Sequence, residues 1–119
     1  MEQNNLVENN RTQMRRGVLE YSILLVLQAG EGYTSSIISK LKAVDIIVVE
    51  GTLYPMLIRL KNQGLLTYRW EESPQGPPRK YYTLTEKGAQ QLRELDQAWM
   101  DLVRSVDAIR TIPEHKLIG

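Results

Sequence analysis

The stretch Gly51-Thr52-Leu53-Tyr54-Pro55-Met56-Leu57-Ile58-Arg59-Leu60-Lys61-Asn62-Gln63-Gly64 decides the fold, because it sets a proline inside a helical pattern. Proline has no N–H and fits a helix where amides lack an intrahelical partner. The helix is therefore expected to begin near Glu50–Thr52, with Pro55 in its first turn. At 3.6 residues per turn, Leu53, Met56, Leu57 and Leu60 share one face, while Pro55, Ile58 and Asn62 lie opposite and Tyr54 and Arg59 occupy the flanks. Gly64 supplies the C-terminal stop.

Downstream, Leu65–Glu71 and Arg79–Leu84 read as two strands rich in Tyr, Thr and Trp. Ser73-Pro74-Gln75-Gly76-Pro77-Pro78 between them reads as a turn or loop, which makes a hairpin with a stiff tip. Upstream, a first helix is expected over Met14–Ala29, with Val18, Tyr21, Leu24, Leu25 and Leu27/Gln28 near helical spacing and Gly30-Glu31-Gly32 ending it. A short second helix carries Ile37, Ile38 and Leu41 on its apolar stripe, capped by Thr34 or a neighbouring Ser. The β-branched run Val44–Val49 fits a brief strand or an extended connector. From Thr85, a cap, to Pro113, a stop, Leu92, Leu95, Trp99, Leu102, Val106 and Ile109 recur in 3, 4 spacing as a heptad seam. A helix of ~27 residues spans ~40 Å, longer than the rest of the chain can cover, so the seam is expected to bury against a second copy.

The fold class is therefore mainly α with a small β-hairpin, a winged helix-turn-helix plus a long C-terminal dimerisation helix. Residues 1–13 read as a flexible tail, 14–84 as the winged-helix domain, 85–112 as the dimerisation helix and 113–119 as a second tail. In a winged helix, the third helix enters the major groove and the hairpin meets the flanking backbone or minor groove.

Composition excludes several other classes. The 119 residues, 42% hydrophobic and 24% charged, form an ordinary globular mixture sufficient for one domain. With no Cys and a single His, His115, there is no basis for disulfides, thiolate nucleophiles or multi-His metal sites, and no cofactor is expected. The most apolar run, Val18–Leu27, is broken by Glu20 and Ser22 and is far below the ~20 residues of a membrane span, so a cytoplasmic location is expected. No carboxylate pair, nucleophile-base set or phosphate-cradling glycine loop stands out, which argues against an enzyme.

The net charge of +1 hides a division. Residues 51–82 carry Arg59, Lys61, Arg69, Arg79 and Lys80 against Glu71 and Glu72, a net +3, whereas residues 83–119 carry five basic and six acidic groups, a net −1. Positive charge therefore gathers on the reading helix and the hairpin, leaving the long helix for a partner.

Gly51 through Leu60 followed by Gly64-Leu65-Leu66, and then Gly76-Pro77-Pro78-Arg79-Lys80-Tyr81-Tyr82-Thr83-Leu84-Thr85-Glu86-Lys87-Gly88, resemble the two signature stretches of the PadR family of bacterial transcriptional regulators. Gly17-Val18-Leu19-Glu20 and Gly32-Tyr33 are similar to its weaker N-terminal pattern, and the single C-terminal helix resembles the small subgroup. The resemblance implies a homodimeric winged-helix repressor whose C-terminal helix swaps across the dimer. It also implies that Tyr54 and its neighbours meet DNA, with Gly76, Pro77 and Arg79 at the wing. One position departs: members often have a basic residue where this chain has Ile58, which could touch a thymine methyl or pack against the C-terminal helix.

The expected DNA-contacting residues are Thr52, Tyr54, Pro55, Arg59, Lys61, Asn62, Gly76, Pro77, Arg79 and Lys80. Each has a plainer reading, Tyr54 as a rim residue packed on the core and the cations as solvated surface charges. Arg15 and Arg16 are either a second phosphate anchor or the solvated start of the first helix. Trp99 is either a filler of the dimer seam or, paired with its copy, half of an apolar slot for a flat aromatic effector. Some small PadR-like regulators use such a tryptophan pair. Trp70 is expected to pack within the hairpin, and His115 is given no role. The leading expectation is a sequence-specific DNA-binding dimer that represses from an inverted-repeat operator; release by a small hydrophobic or aromatic effector is the further option that the slot reading of Trp99 would open. The competing one is a winged-helix and coiled-coil module that binds protein without specific DNA recognition.

Overall fold

A computed structural model describes residues 2–113, with side chains from residue 5 onward. The 114–119 segment, with His115 and most of the expected C-terminal tail, lies outside the described residues. The order is α1 (Glu2–Gln28), α2 (Thr34–Lys42), α3 (Glu50–Asn62), β1 (Leu66–Ser73), β2 (Gly76–Leu84) and α4 (Glu86–Arg110). This is the winged-helix arrangement with one long C-terminal helix. Among the described residues, no helix is long and apolar enough to cross a membrane.

The core gathers Leu19, Ile23, Leu24 and Leu27 of α1, Ile37 and Leu41 of α2, Leu53, Leu57 and Leu60 of α3, Leu66 and Tyr82 of the hairpin, and Leu92 of α4. On α3 the buried face is the one expected from periodicity, with Met56 half-buried against it. On α1 it is not. The buried positions are 19, 23, 24 and 27, while Val18 and Tyr21 are half-buried and Leu25 is exposed. At 100° per residue, Val7, Met14, Val18, Tyr21 and Leu25 form a second apolar stripe, roughly opposite the first. Periodicity detects both stripes, and only packing decides which one the core takes.

The first helix also begins at Glu2 rather than at Met14, so the expected flexible tail is helical. The stretch before Gly17 holds neither glycine nor proline. Local bonds support it, with Arg11 paired to Glu8 at 3.1 Å and the Thr12 hydroxyl donating to the Glu8 carbonyl. As expected, residues 5–13 contribute nothing buried to the core.

Ser36 Oγ accepts the Tyr33 N–H at 3.0 Å, so a neighbouring serine, not Thr34, caps the start of α2. Asp45 takes the left-handed conformation (φ 65°) that ends the segment, and Ile46–Val49 forms the connector without joining the sheet. In α3, Pro55 is the sixth residue and thus lies in the second turn, not the first. The carbonyl of Gly51 consequently lacks its i+4 donor. That is tolerated because Gly51 is open to water, with nothing within 4 Å of where a Cβ would stand.

The hairpin is longer than expected, its turn shortened to Pro74-Gln75. Pro77 and Pro78 lie in β2, not in a loop. Between the pairs Glu71↔Arg79 and Ser73↔Gly76, β1 has one residue and β2 has two, the prolines. This bulge is a place where missing N–H groups cost no ladder bond.

The start of α4 is bonded to the end of α3 through Thr85 and Lys87. Thr85 Oγ1 accepts from the Gly88 N–H at 3.0 Å and donates to the Gly64 carbonyl at 2.6 Å, while Lys87 Nζ donates to the Gln63 carbonyl at 2.9 Å. The start of α4 thus satisfies orphan carbonyls at the end of α3.

Candidate nucleic-acid interface

The outer face of α3 presents Tyr54, Pro55, Ile58 and Asn62 to solvent. Beside its N-terminal half, the wing bends over to leave a groove lined by Tyr33, Thr34 and Ser35 at the start of α2, Glu50 and Tyr54 of α3, and Trp70, Pro78, Arg79 and Lys80 of the hairpin. A smaller continuation runs along Ile58, Lys61 and Asn62 toward Tyr68. Tyr54, Lys61, Asn62, Arg79 and Lys80 are therefore brought together, with Ile58 exposed between them. Gly76 and Pro77 are exposed farther along the wing. Thr52 is not part of this groove; it lies on the other flank of α3, beside Arg15, Arg16, Ile47 and Val49.

The hairpin is held to the helical body at its base. Gly32 exchanges two backbone hydrogen bonds with Tyr82, at 3.0 and 2.8 Å. A Cβ at Gly32 would stand 3.1 Å from Ile37 and 3.2 Å from Ser36, so a larger residue would crowd the start of α2. Next to this bridge, the guanidinium of Arg69 binds Glu31 at 2.6 and 3.1 Å and reaches Glu71 at 3.2 Å. That pairing holds the Glu31 carboxyl below its ordinary range. Burial pushes the Tyr82 hydroxyl up.

The cations of the patch are not equivalent. Arg69 is neutralised by two carboxylates, and Arg59 leans on Glu20 of α1 at 3.7 Å. Among the described residues, Lys61, Arg79 and Lys80 have no carboxylate within ion-pair distance. Instead, Arg79 lies 4.5 Å from the ring centre of Tyr33. Lys80 Nζ lies 4.8 Å from Tyr68, 5.3 Å from Trp70 and 5.7 Å from Tyr54. A cation over a ring is held in place while its charge stays available to an anion, which a carboxylate partner would cancel. The groove is therefore positive, with aromatic walls.

Sequence reasoning missed Tyr33, Thr34, Ser35 and Trp70 as lining residues. For Trp70 the signal was present in the period-2 alternation, which sets it on the same face as Tyr68.

At the far side of the body, α4 divides in two. Leu92 is fully buried in its own chain and Leu95 packs on the same core, so the first turns of the expected seam are used internally. Beyond them, Trp99, Leu102, Val106 and Ile109 are exposed. The Tyr21 hydroxyl donates to Asp96, and the Tyr21 ring stands 6.4 Å from that of Trp99. The second apolar stripe of α1 thus lies beside the free stripe of α4.

The family model of PadR-like transcriptional regulators matches residues 23–94. Among solved structures, a PadR-like transcription factor from Bacteroides fragilis is 56% identical, with a TM-score of 0.72, over 85% of this chain and 98% of that one. A PadR family regulator from Eggerthella lenta is 31% identical, with a TM-score of 0.85, over 95% and 99%. Bacillus subtilis PadR, solved in complex with operator DNA, is 32% identical, with a TM-score of 0.61, over 66% of this chain and 46% of that protein. No curated protein matches the chain. The two signature stretches, the fold they build and these relatives agree: the chain belongs to the PadR-like family of transcriptional regulators.

Proposed function

We propose that the protein is a homodimeric, sequence-specific DNA-binding repressor that reads an inverted-repeat operator. The observation that carries this reading is the groove in which the exposed face of α3 meets Arg79 and Lys80, cations that no carboxylate among the described residues pairs with. Tyr54, Pro55, Ile58 and Asn62 face the major groove, with Ile58 suited to a thymine methyl, while the cations and the first amides of α2 take phosphates. Gly76 and Pro77 carry the wing to the flanking DNA. Arg59, leaning on Glu20, and Thr52, on the flank, approach a neighbouring phosphate only as the edge of this surface.

The dimer forms through the free stripe of α4, and its symmetry sets half-sites ~10–10.5 bp apart or a multiple of that. The Bacillus subtilis relative, seen on operator DNA, supports the DNA partner. A small hydrophobic or aromatic effector that stacks at Trp99 would release the operator only if it bound the DNA-incompetent dimer better than the competent one. The protein acts in the cytoplasm as a regulator rather than an enzyme.

Gel-shift titrations with fragments from upstream of its own gene test the reading. Tyr54→Ala and Arg79→Ala are each expected to weaken binding about tenfold, and wild-type affinity is expected to fall steeply with salt as counterions are released. Indifference to both substitutions, with affinity unchanged by salt, would instead favour the protein-binding module.

A further inference from the structure

The register of the hairpin places Leu66, Tyr68 and Trp70 of β1 on one face with Leu84, Tyr82 and Lys80 of β2. Burial falls along this face as it leaves the helical body. Leu66 and Tyr82 are buried, Tyr68 is half-buried, and Trp70 is 59% exposed. A tryptophan in a hairpin usually covers its ring with neighbours. Here the ring touches Tyr68 edge-on, with centroids 6.0 Å apart and planes at 90°, and Lys80 stands over it at 5.3 Å. Its remaining surface opens toward Pro77, Pro78 and Glu72 and toward the groove beside α3.

The groove thus offers a fixed cation beside an apolar plate, flanked by Arg79 and by the hydroxyl-bearing residues Thr34 and Ser35. Glu50 stands on the same wall, in the first turn of α3, and repels anions from that end. An occupant must therefore alternate anionic and apolar groups, with its anions toward the wing. A deoxyribose-phosphate strand has that alternation.

We propose that Trp70 is a DNA-contacting residue of this protein. Its exposed ring is a platform for a deoxyribose of the strand that passes between α3 and the wing, and Lys80, held by the three rings, takes the adjacent phosphate. This rests on the DNA-binding reading and adds to it a non-ionic contact. The contact strengthens binding without adding charge, which suits a chain whose net charge is only +1.

The test uses a duplex selected by the wild-type chain from a random-sequence library. Trp70→Ala should bind it roughly tenfold more weakly, with the slope of log affinity against log salt unchanged, because no phosphate contact is lost. Lys80→Gln should lower that slope by about one unit. Trp70→Phe, which keeps a ring for Lys80, should fall between wild type and Trp70→Ala. The chain has two tryptophans, so the change in emission on adding duplex should be present in wild type and absent in Trp70→Phe, where only Trp99 remains.

Wild-type affinity in both Trp70 variants, or an emission change that survives Trp70→Phe, overturns the proposal while leaving the DNA reading intact. A slope lowered by Trp70→Ala as much as by Lys80→Gln also overturns it, because the ring would then act only by positioning the lysine. Failure of the wild-type chain to select any duplex overturns both.

Discussion

Gly88 stands where the first turn of α4 passes closest to the body. A Cβ there would overlap the Leu65 carbonyl and stand 3.0 Å from its carbon, and that carbonyl already accepts the Thr85 N–H at 3.1 Å. Gly88→Ala would gain ~1 kcal/mol of helix propensity. The overlap is with backbone, which cannot move aside like the end of a side chain. The expected outcome is destabilisation by about 3 kcal/mol in urea unfolding, the clash exceeding the propensity gain. Equal or higher stability would mean that α4 shifts freely on the wing. The residues of Thr85-Glu86-Lys87-Gly88 were legible as a motif and Thr85 as a cap, but the roles of Lys87 and Gly88 were not. Lys87 in particular looks like an ordinary surface charge until the end of α3 is placed beside it. Trp70 does meet Tyr68 and Lys80 within the hairpin, as expected, but that it stays 59% exposed was not legible, for a related reason. Alternation assigns a residue to a face of a hairpin, but not the point at which that face runs past the core.

Among the elements, α1 carries the most information that periodicity alone could not order. Its two apolar stripes differ in their neighbours: one enters the core, and the other is largely exposed and meets α4 at Tyr21, whose hydroxyl donates to Asp96. That hydrogen bond, burial and the Asp96 charge, in this order, push the Tyr21 hydroxyl up to about 12. The folded-state value lies above the ordinary 10.0, so the contribution to stability is complete below pH 10 and is lost as pH rises through about 12. Tyr21→Phe is expected to cost ~1 kcal/mol at neutral pH, a typical net value for one hydrogen bond. The difference between wild type and variant in chemical denaturation should shrink above pH 10, and a difference constant across that range would contradict the assignment. The wing shows a similar limit to local reading. Two adjacent prolines signal a loop by every local rule, yet the strand continues through them because a bulge removes the need for their N–H groups.

The whole molecule extends 64 × 38 × 22 Å, longer than a chain of this size needs if packed on one core. The excess length comes from two helices of 27 and 25 residues, each with an apolar stripe that its own chain does not cover. Fully burying a large aliphatic side chain is worth ~1.5–3 kcal/mol, and that gain is what the proposed dimer would draw on by pairing the free turns of α4. Val106→Asp is expected to shift sedimentation from dimer toward monomer and to abolish operator binding at concentrations where wild type is dimeric. The melting of the winged-helix body should change little, because Val106 touches none of its core. A variant that stays dimeric and binds DNA would move the interface off α4.

By itself, the sequence determined the element order, the buried and exposed faces of α3, the cap and stop of α4 and the positive charge around the wing. These depend on spacing within a turn or two of chain, which residue identity specifies. Tertiary structure alone decided which stripe of α1 enters the core, how far the seam of α4 is used internally, which cations carboxylates cancel and why Trp70 stays outside. Each of these depends on groups far apart in the chain, such as Tyr21 with Asp96 or Glu20 with Arg59, that meet only once the helices have packed.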